Sequence, residues 1–421
     1  MLSQHLLQDS GKECYQLHVI VASYARDHFD AGSKEADRQS LRGAHAKAAQ
    51  YYVHYAEESC PPREQRRNAD DVKPLIEAVW QYCQAGHWQE AYDLMLNEGL
   101  FSDLRLWGRN AVLLELCQLL LPSREWQPER SQAALIYARL GSVYNTLGKK
   151  QVALAYFEQA LLIFREVDDR GGEGTTLNNL GLVYDALGKK QETLAYFEQA
   201  LRIFREVGDR GGEGTTLNNL GAVYDALGKK QEALAYFEQA LRIFQEVGDR
   251  RREGTMLNNL GLLYNILGQK QEALSYYEQA LGICGEVGDR GGEVRTLINL
   301  GSVYYSMGEK DRASKYYEQA LYISRLVADR EEEATALNNL GLLYADLGEK
   351  ERAREYYEQA LSILREMGNR GGEGRLLNNL GAIYYALGEK ERAQKYYEQA
   401  LGMGRELASA DSNRRLIGEW G

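Results

Sequence analysis

Residues 211–250 read GGEGTTLNNLGAVYDALGKKQEALAYFEQALRIFQEVGDR, and nearly the same forty letters return on either side. The pair Leu-Gly falls at Leu140-Gly141, Leu180-Gly181, Leu220-Gly221, Leu260-Gly261, Leu300-Gly301, Leu340-Gly341 and Leu380-Gly381, with no residue gained or lost between copies. A fixed period of about 20–50 residues marks a solenoid. Within one copy, Leu217, Leu220, Gly221 and Tyr224 share a helical face. Gly228 ends that helix, and Ala233, Phe237, Ala240 and Leu241 mark the inner face of a second. Small Gly221, Ala233 and Ala240 are expected to let the two backbones approach, with Tyr224 and Phe237 filling what remains. One such pair cannot bury its apolar face alone; stacked neighbours do it together.

The spacing resembles the tetratricopeptide repeat, whose pattern is W-x2-L-G-x2-Y, then A-x3-F, then P. Leu217 stands where the Trp falls, and Leu220, Gly221, Tyr224, Ala233 and Phe237 match. The closing Pro is missing in every copy, and the second helix runs on through LRIFQEV to Gly248-Asp249-Arg250. That longer form is similar to the repeats of kinesin light chain, of the LGN/Pins spindle adaptors and of bacterial STAND-type (NB-ARC) signalling ATPases. The resemblance covers residues 131 to about 410. It implies an all-α, right-handed superhelical solenoid whose first helices line a concave groove, a protein or peptide as ligand, and no cofactor.

Outside the array, LLQDSGKECYQLH reads as two short strands around Asp9-Ser10-Gly11, followed by an amphipathic helix over HVIVASYARDHF. This stretch resembles the last hairpin and helix of the winged-helix module in STAND ATPases; Tyr15, Leu17, His18, Tyr24 and Ala25 match. Residues 1–30 are then the remnant of such a module, with an ordinary N-terminal cap as the alternative. Residues 31–130 read as an irregular helical region. It has a helix over 35–60, a linker PPREQRRNADD and a degenerate repeat over 72–100, where Tyr82, Gly86 and Ala91 keep the spacing of Tyr224, Gly228 and Ala233. A Leu-rich helix follows over 108–121. Seven units then occupy 131–410, and Leu416, Ile417 and Trp420 in 411–421 form either a cap or a frayed tail.

The formal net charge is −11, which disfavours a nucleic-acid or anionic-membrane partner, since both call for a positive field. The five cysteines form no C-x-x-C pair; that is a reduced, cytoplasmic pattern. No apolar run is long enough to span a membrane. A phosphate loop fails on spacing: six residues separate Gly181 from Gly188 where the Walker pattern has four, and Lys190 stands where Ser or Thr belongs. All six histidines precede residue 88 and none recurs at metal-ligand spacing with a carboxylate. No metal and no catalytic activity are expected.

One signal recurs without a packing reason. Asn179, Asn219, Asn259, Asn299, Asn339 and Asn379 hold the same place just before Leu-Gly, and Asn178, Asn218, Asn258, Asn338 and Asn378 precede five of them, Ile298 breaking that row. Asn is a poor mid-helix residue because its side chain competes for backbone hydrogen bonds. A row of carboxamides can both donate to and accept from a peptide main chain; the other reading is that each bonds the neighbouring repeat and holds the stack. On the same face, Asp185, Asp225, Asn265, Tyr305 and Tyr385 vary between copies and are the expected specificity positions, acidic early and aromatic late. The Asp of Gly208-Asp209-Arg210 and its copies is expected to cap the next first helix, and the Arg to reach a carboxylate such as Glu213. The leading expectation is a protein- or peptide-binding scaffold, the sensor or adaptor part of a signalling protein. A purely structural or self-assembling array is the alternative, and the oligomeric state stays open.

Overall fold

The computed structural model describes residues 34–418, and among them every regular element is helical. The hairpin expected within residues 1–30 lies outside the described residues, as does the side-chain packing of the expected C-terminal cap. The helices group into two compact units, dividing between Gly212 and Glu213.

The first unit opens with α1 (Lys34–Ser59), which lies against α2 (Lys73–Ala85). Pro74 falls in the first turn of α2, where its missing N–H costs nothing. Helix α3 (Trp88–Asn97) follows. The turn between them keeps the geometry of the regular copies: Gly86 has φ 82° and the His87 amide donates to the Tyr82 carbonyl at 2.9 Å, as Lys149 does to Tyr144 beyond Gly148. A short helix α4 (Leu100–Leu106), not anticipated from the sequence, starts after left-handed Gly99. It buries Leu100, Phe101 and Leu104 beside Leu113, Leu116 and Cys117 of α5 (Asn110–Leu119). Two regular pairs complete the unit: α6 (Arg130–Thr146) with α7 (Lys150–Glu166), and α8 (Arg170–Ala186) with α9 (Lys190–Val207).

The second unit continues the same alternation. First helices are α10 (Arg210–Ala226), α12 (Arg250–Ile266), α14 (Arg290–Ser306), α16 (Arg330–Asp346) and α18 (Arg370–Ala386). Second helices are α11 (Lys230–Glu246), α13 (Lys270–Val287), α15 (Lys310–Leu326), α17 (Lys350–Glu366) and α19 (Lys390–Gly418).

Each pair closes on one contact. A methyl group placed on Gly221 would lie 2.7 Å from the ring of Phe237, and one on Gly301 would lie 2.6 Å from the ring of Tyr317. Gly221 lets the two helices approach by leaving the ring of Phe237 the space a Cβ would need. A second aromatic contact ties each pair at its open end, where Tyr224 stacks on Tyr236 with centroids 5.1 Å apart, and Tyr344 on Tyr356 at 5.5 Å.

The turns are equally regular. The Asp169 and Asp289 carboxylates accept from the Gly172 and Gly292 amides at 2.8 and 3.0 Å, capping α8 and α14. At the far end of the second helices a left-handed residue turns the chain. Four of these positions hold glycine, for example Gly288 at φ 68°, but Ala328 adopts φ 57° with a side chain attached.

Two substitutions test these details. Ala328→Gly relieves a left-handed alanine and should raise the stability of the second unit by about 1 kcal/mol, read as a higher urea midpoint. The Tyr277 hydroxyl is buried with no hydrogen-bond partner, whereas its counterpart on Tyr317 donates to Ser302 Oγ at 3.2 Å. Tyr277→Phe should therefore be neutral or stabilising by up to about 1 kcal/mol, while Tyr317→Phe should destabilise by a similar amount.

Candidate functional site

In the second unit the first helices present a common face built from three rows. The outermost row is Thr255, Arg295, Thr335 and Arg375, all exposed. The middle row is the asparagine pair of each helix, with Asn299 beside Ile298. The third row is Leu262, Ser302, Leu342 and Ala382, in which Leu262 and Leu342 are 42% and 44% exposed. Spacings of three, four and seven residues place these side chains on one side of each helix.

The asparagines bond to each other across repeats. Asn259 Nδ2 donates to Asn218 Oδ1 at 3.1 Å, Asn299 Nδ2 to Asn258 Oδ1 at 3.0 Å, and Asn379 Nδ2 to Asn338 Oδ1 at 3.2 Å. The second Asn of one repeat thus reaches back to the first Asn of the repeat before. Where Ile298 interrupts the first row, Asn339 has no amide behind it; its Oδ1 instead accepts from Asn338 Nδ2 of its own helix at 3.2 Å. Thr296 Oγ1 adds a longer contact, 3.4 Å, to Asn258 Oδ1. In the first unit Asn178 is buried and Asn179 half-buried. Each inter-repeat bond uses one of two N–H groups on the donor side chain and part of the acceptor capacity on the other, so it does not exhaust the row.

The expected specificity positions divide. Asp185 in the first unit and Asp225 in the second each receive a lysine from their own repeat, Lys190 Nζ at 2.6 Å and Lys230 Nζ at 2.5 Å. Each of the two expected acidic positions is thus compensated by a lysine. Asn265 is half-buried. Burial pushes the Tyr305 phenol above its usual range, and the charge and hydrogen bond of Asp346 from the next repeat add to the shift. Asp346 also holds Lys310 Nζ at 2.6 Å. Tyr385 stands 61% exposed. Ile266, one turn beyond Leu262 and 52% exposed, was not among the expected positions; the available signal was a large apolar residue where the other copies hold Thr146, Ala186, Ala226, Ser306, Asp346 and Ala386.

Between α16 and α18 the face deepens into a cleft of about 470 Å³, lined in part by Glu331, Thr335, Asn338, Arg375, Asn378 and Asn379. Its walls offer amides, a hydroxyl and charges of both signs, and it can hold an extended backbone by hydrogen bonds. No group of three His, Cys, Asp or Glu side chains that could hold a metal occurs among the described residues, nor does a helix long and apolar enough to cross a membrane.

Comparison with known proteins gives the fold its setting. No curated protein matches the chain in sequence. Among solved structures, a Signal Transduction ATPase with Numerous Domains (STAND) protein with a tetratricopeptide repeat sensor, from Pyrococcus horikoshii, superposes with TM-score 0.61 at 15% identity. The match covers 91% of this chain and 55% of that one, so the chain spans little more than half the length of that protein. The apo form of the quorum sensor NprR from B. thuringiensis gives 0.56 at 16% identity, over 80% of this chain and 99% of that one. A Rap protein complexed with Competence and Sporulation Factor gives 0.51 at 15%, over 94% and 97%. At these identities the likeness shows the fold. The tetratricopeptide-repeat family model matches residues 132–206, 191–246, 252–326, 311–366 and 332–406, and with that pattern repeated over most of its length the chain belongs to the tetratricopeptide-repeat family.

Proposed function

We infer that the first-helix face of the second unit binds an extended peptide or protein segment, and that the chain is the sensor or adaptor part of a signalling protein. The observation that carries this reading is the exposed apolar row, Leu262 and Leu342, running beside half-buried amides and a cleft of about 470 Å³. Leu262 and Leu342 lie outside the buried core, and each is flanked by carboxamides able to satisfy a main chain. The tetratricopeptide repeat sensor and the quorum sensor among the structural neighbours, and the Rap protein complexed with Competence and Sporulation Factor, are consistent with the same use. The amides then serve twice, tying repeats together and bordering the ligand. In this reading the chain carries out no catalytic step, needs no cofactor and works in the cytoplasm. Asp225, Asn265, Tyr305 and Tyr385 modulate specificity on this face, with exposed Tyr385 contributing most and lysine-paired Asp225 least; Asp185 belongs to the first unit.

Two measurements separate binding from stacking. Leu262→Asp with Leu342→Asp leaves every asparagine bond in place; lysate partners captured by the wild-type chain and identified by mass spectrometry should be lost, with affinity down at least about tenfold. Equal capture by both forms would move the ligand off this face. A double-mutant cycle on Asn338→Ala and Asn379→Ala should return a coupling of about 0.5–1.5 kcal/mol in urea unfolding if their bond helps hold the stack; a coupling near zero would leave the amides to the ligand alone.

A further inference from the structure

The turn arginines of this chain repeat one forward contact by the same atoms. Nη2 of Arg130, Arg170, Arg250, Arg330 and Arg370 reaches Oε2 of Glu166, Glu206, Glu286, Glu366 and Glu406 at 3.3, 2.5, 2.6, 2.8 and 2.5 Å. Behind the turn, Nε of Arg165, Arg325 and Arg365 holds the first-helix glutamates Glu173, Glu333 and Glu373 at 2.8, 2.9 and 2.9 Å. The forward contacts thus close each helix pair, and the rear ones link successive repeats by charge.

One junction departs on both counts. Leu326 stands where the forward glutamate belongs, and Gly285 where the rear arginine belongs. Arg290 still holds Glu293 through Nη1 at 2.7 Å, but its Nη2 meets no carboxylate among the described residues. Glu293 is correspondingly opened, 18% exposed at its side chain against 6% to 9% for Glu173, Glu253, Glu333 and Glu373. The gap is an open cleft of about 810 Å³, lined by Leu281, Arg290, Lys315, Tyr322, Ile323 and Leu326 among others. Tyr322 and Leu326 lie one turn apart on α15 and are 69% and 66% exposed. Two acids also line it: Glu293 is met by Arg290, and Glu318 accepts from the Ser314 and Tyr344 hydroxyls at 3.1 and 3.4 Å. Lys315 forms no ion pair among the described residues.

We propose that this cleft is a docking site for an acidic and apolar peptide segment of another protein, whose carboxylate takes at Arg290 Nη2 the place the forward glutamate fills elsewhere. Glu293 holds the guanidinium in position beforehand, so a carboxylate gains a charge-assisted bond at a pre-set donor. An apolar side chain next to that carboxylate covers Tyr322 and Leu326, an aromatic–aliphatic pair suited to act as the energetic centre of an interface. The site shares no residue with the asparagine face and stands or falls independently of it.

Leu326→Glu tests this directly, because it restores the contact seen at five other junctions and should leave the chain folded and at least as resistant to urea. A phage-displayed library of random dodecapeptides is selected on the wild-type full-length chain. Peptides carrying Asp or Glu beside Leu, Ile or Phe should be enriched, should weaken as salt rises, and should bind L326E at least about tenfold less tightly. They should bind the Leu262→Asp/Leu342→Asp form unchanged, which separates this site from the asparagine face. Recovery of no specific peptide, of peptides without an acid, or of peptides that bind L326E equally overturns the proposal. A concentration-dependent dimer of the wild type that L326E dissolves, seen by sedimentation, would give the cleft to a second copy and overturn it as well.

Discussion

An aromatic ring seated on a glycine sets the geometry from which the other features of the array follow. In each repeat the ring of the second helix occupies the space where a Cβ of the first would be, as Phe237 does on Gly221 and Tyr317 on Gly301. The two helices can then approach no nearer and have no reason to sit further apart, since interiors pack to crystal-like density. Repeating that contact every forty residues brings the same side chain of each repeat to the same height within a unit. Bonds that run from one repeat to the next, such as Asn299 to Asn258 and Arg325 to Glu333, depend on that register. A residue inserted into one helix would displace both.

The two sides of the helix layers carry different glue. On the first-helix face neutral carboxamides join repeats, and on the other side arginine and glutamate do. Neutral amides leave donors and acceptors over after bonding each other, so their face stays chemically receptive. Exposed ion pairs are individually weak, but these share partners: Arg250 touches both Glu253 and Glu286. The sharing turns separate surface pairs into a connected set, and a buried first-helix glutamate, Glu173, Glu253, Glu333 or Glu373, sits at its centre.

Near-identity between copies makes departures informative. Ile298 in the asparagine row, Ala328 in a glycine position and Leu326 in a glutamate position each break a rule that neighbouring repeats obey. Their consequences differ in kind. Ile298 is buried and interrupts a hydrogen-bonded row. Ala328 places a side chain in left-handed backbone, a local strain. Leu326 exposes an apolar side chain and leaves an arginine donor unmet among the described residues, which changes what the surface can recognise.

Much of this was legible in the residues. The forty-residue period, the helix pairs, the turn glycines and the capping aspartates follow from local rules: apolar spacing, a left-handed position and a side-chain acceptor three residues from a free N–H. The asparagine rows were visible as a pattern, and the reach of the turn arginine to its own first-helix glutamate was expected. What the residues could not decide was pairing between repeats. Lys190 and Lys230 turn back to Asp185 and Asp225 of their own repeats, while Lys310 reaches forward to Asp346 of the next. The same residue type at the same position takes either course: where the lysine's own repeat has Asn265, Tyr305 or Ala345 in place of the aspartate, Lys270, Lys310 and Lys350 all reach the end of the next first helix, the first and last at the Ser306 and Ala386 carbonyls. In the same way, Asn258 alone gives no sign that its acceptor faces Asn299 of the following repeat. Forty-one residues separate them along the chain, and only the packed helices bring them to 3.0 Å.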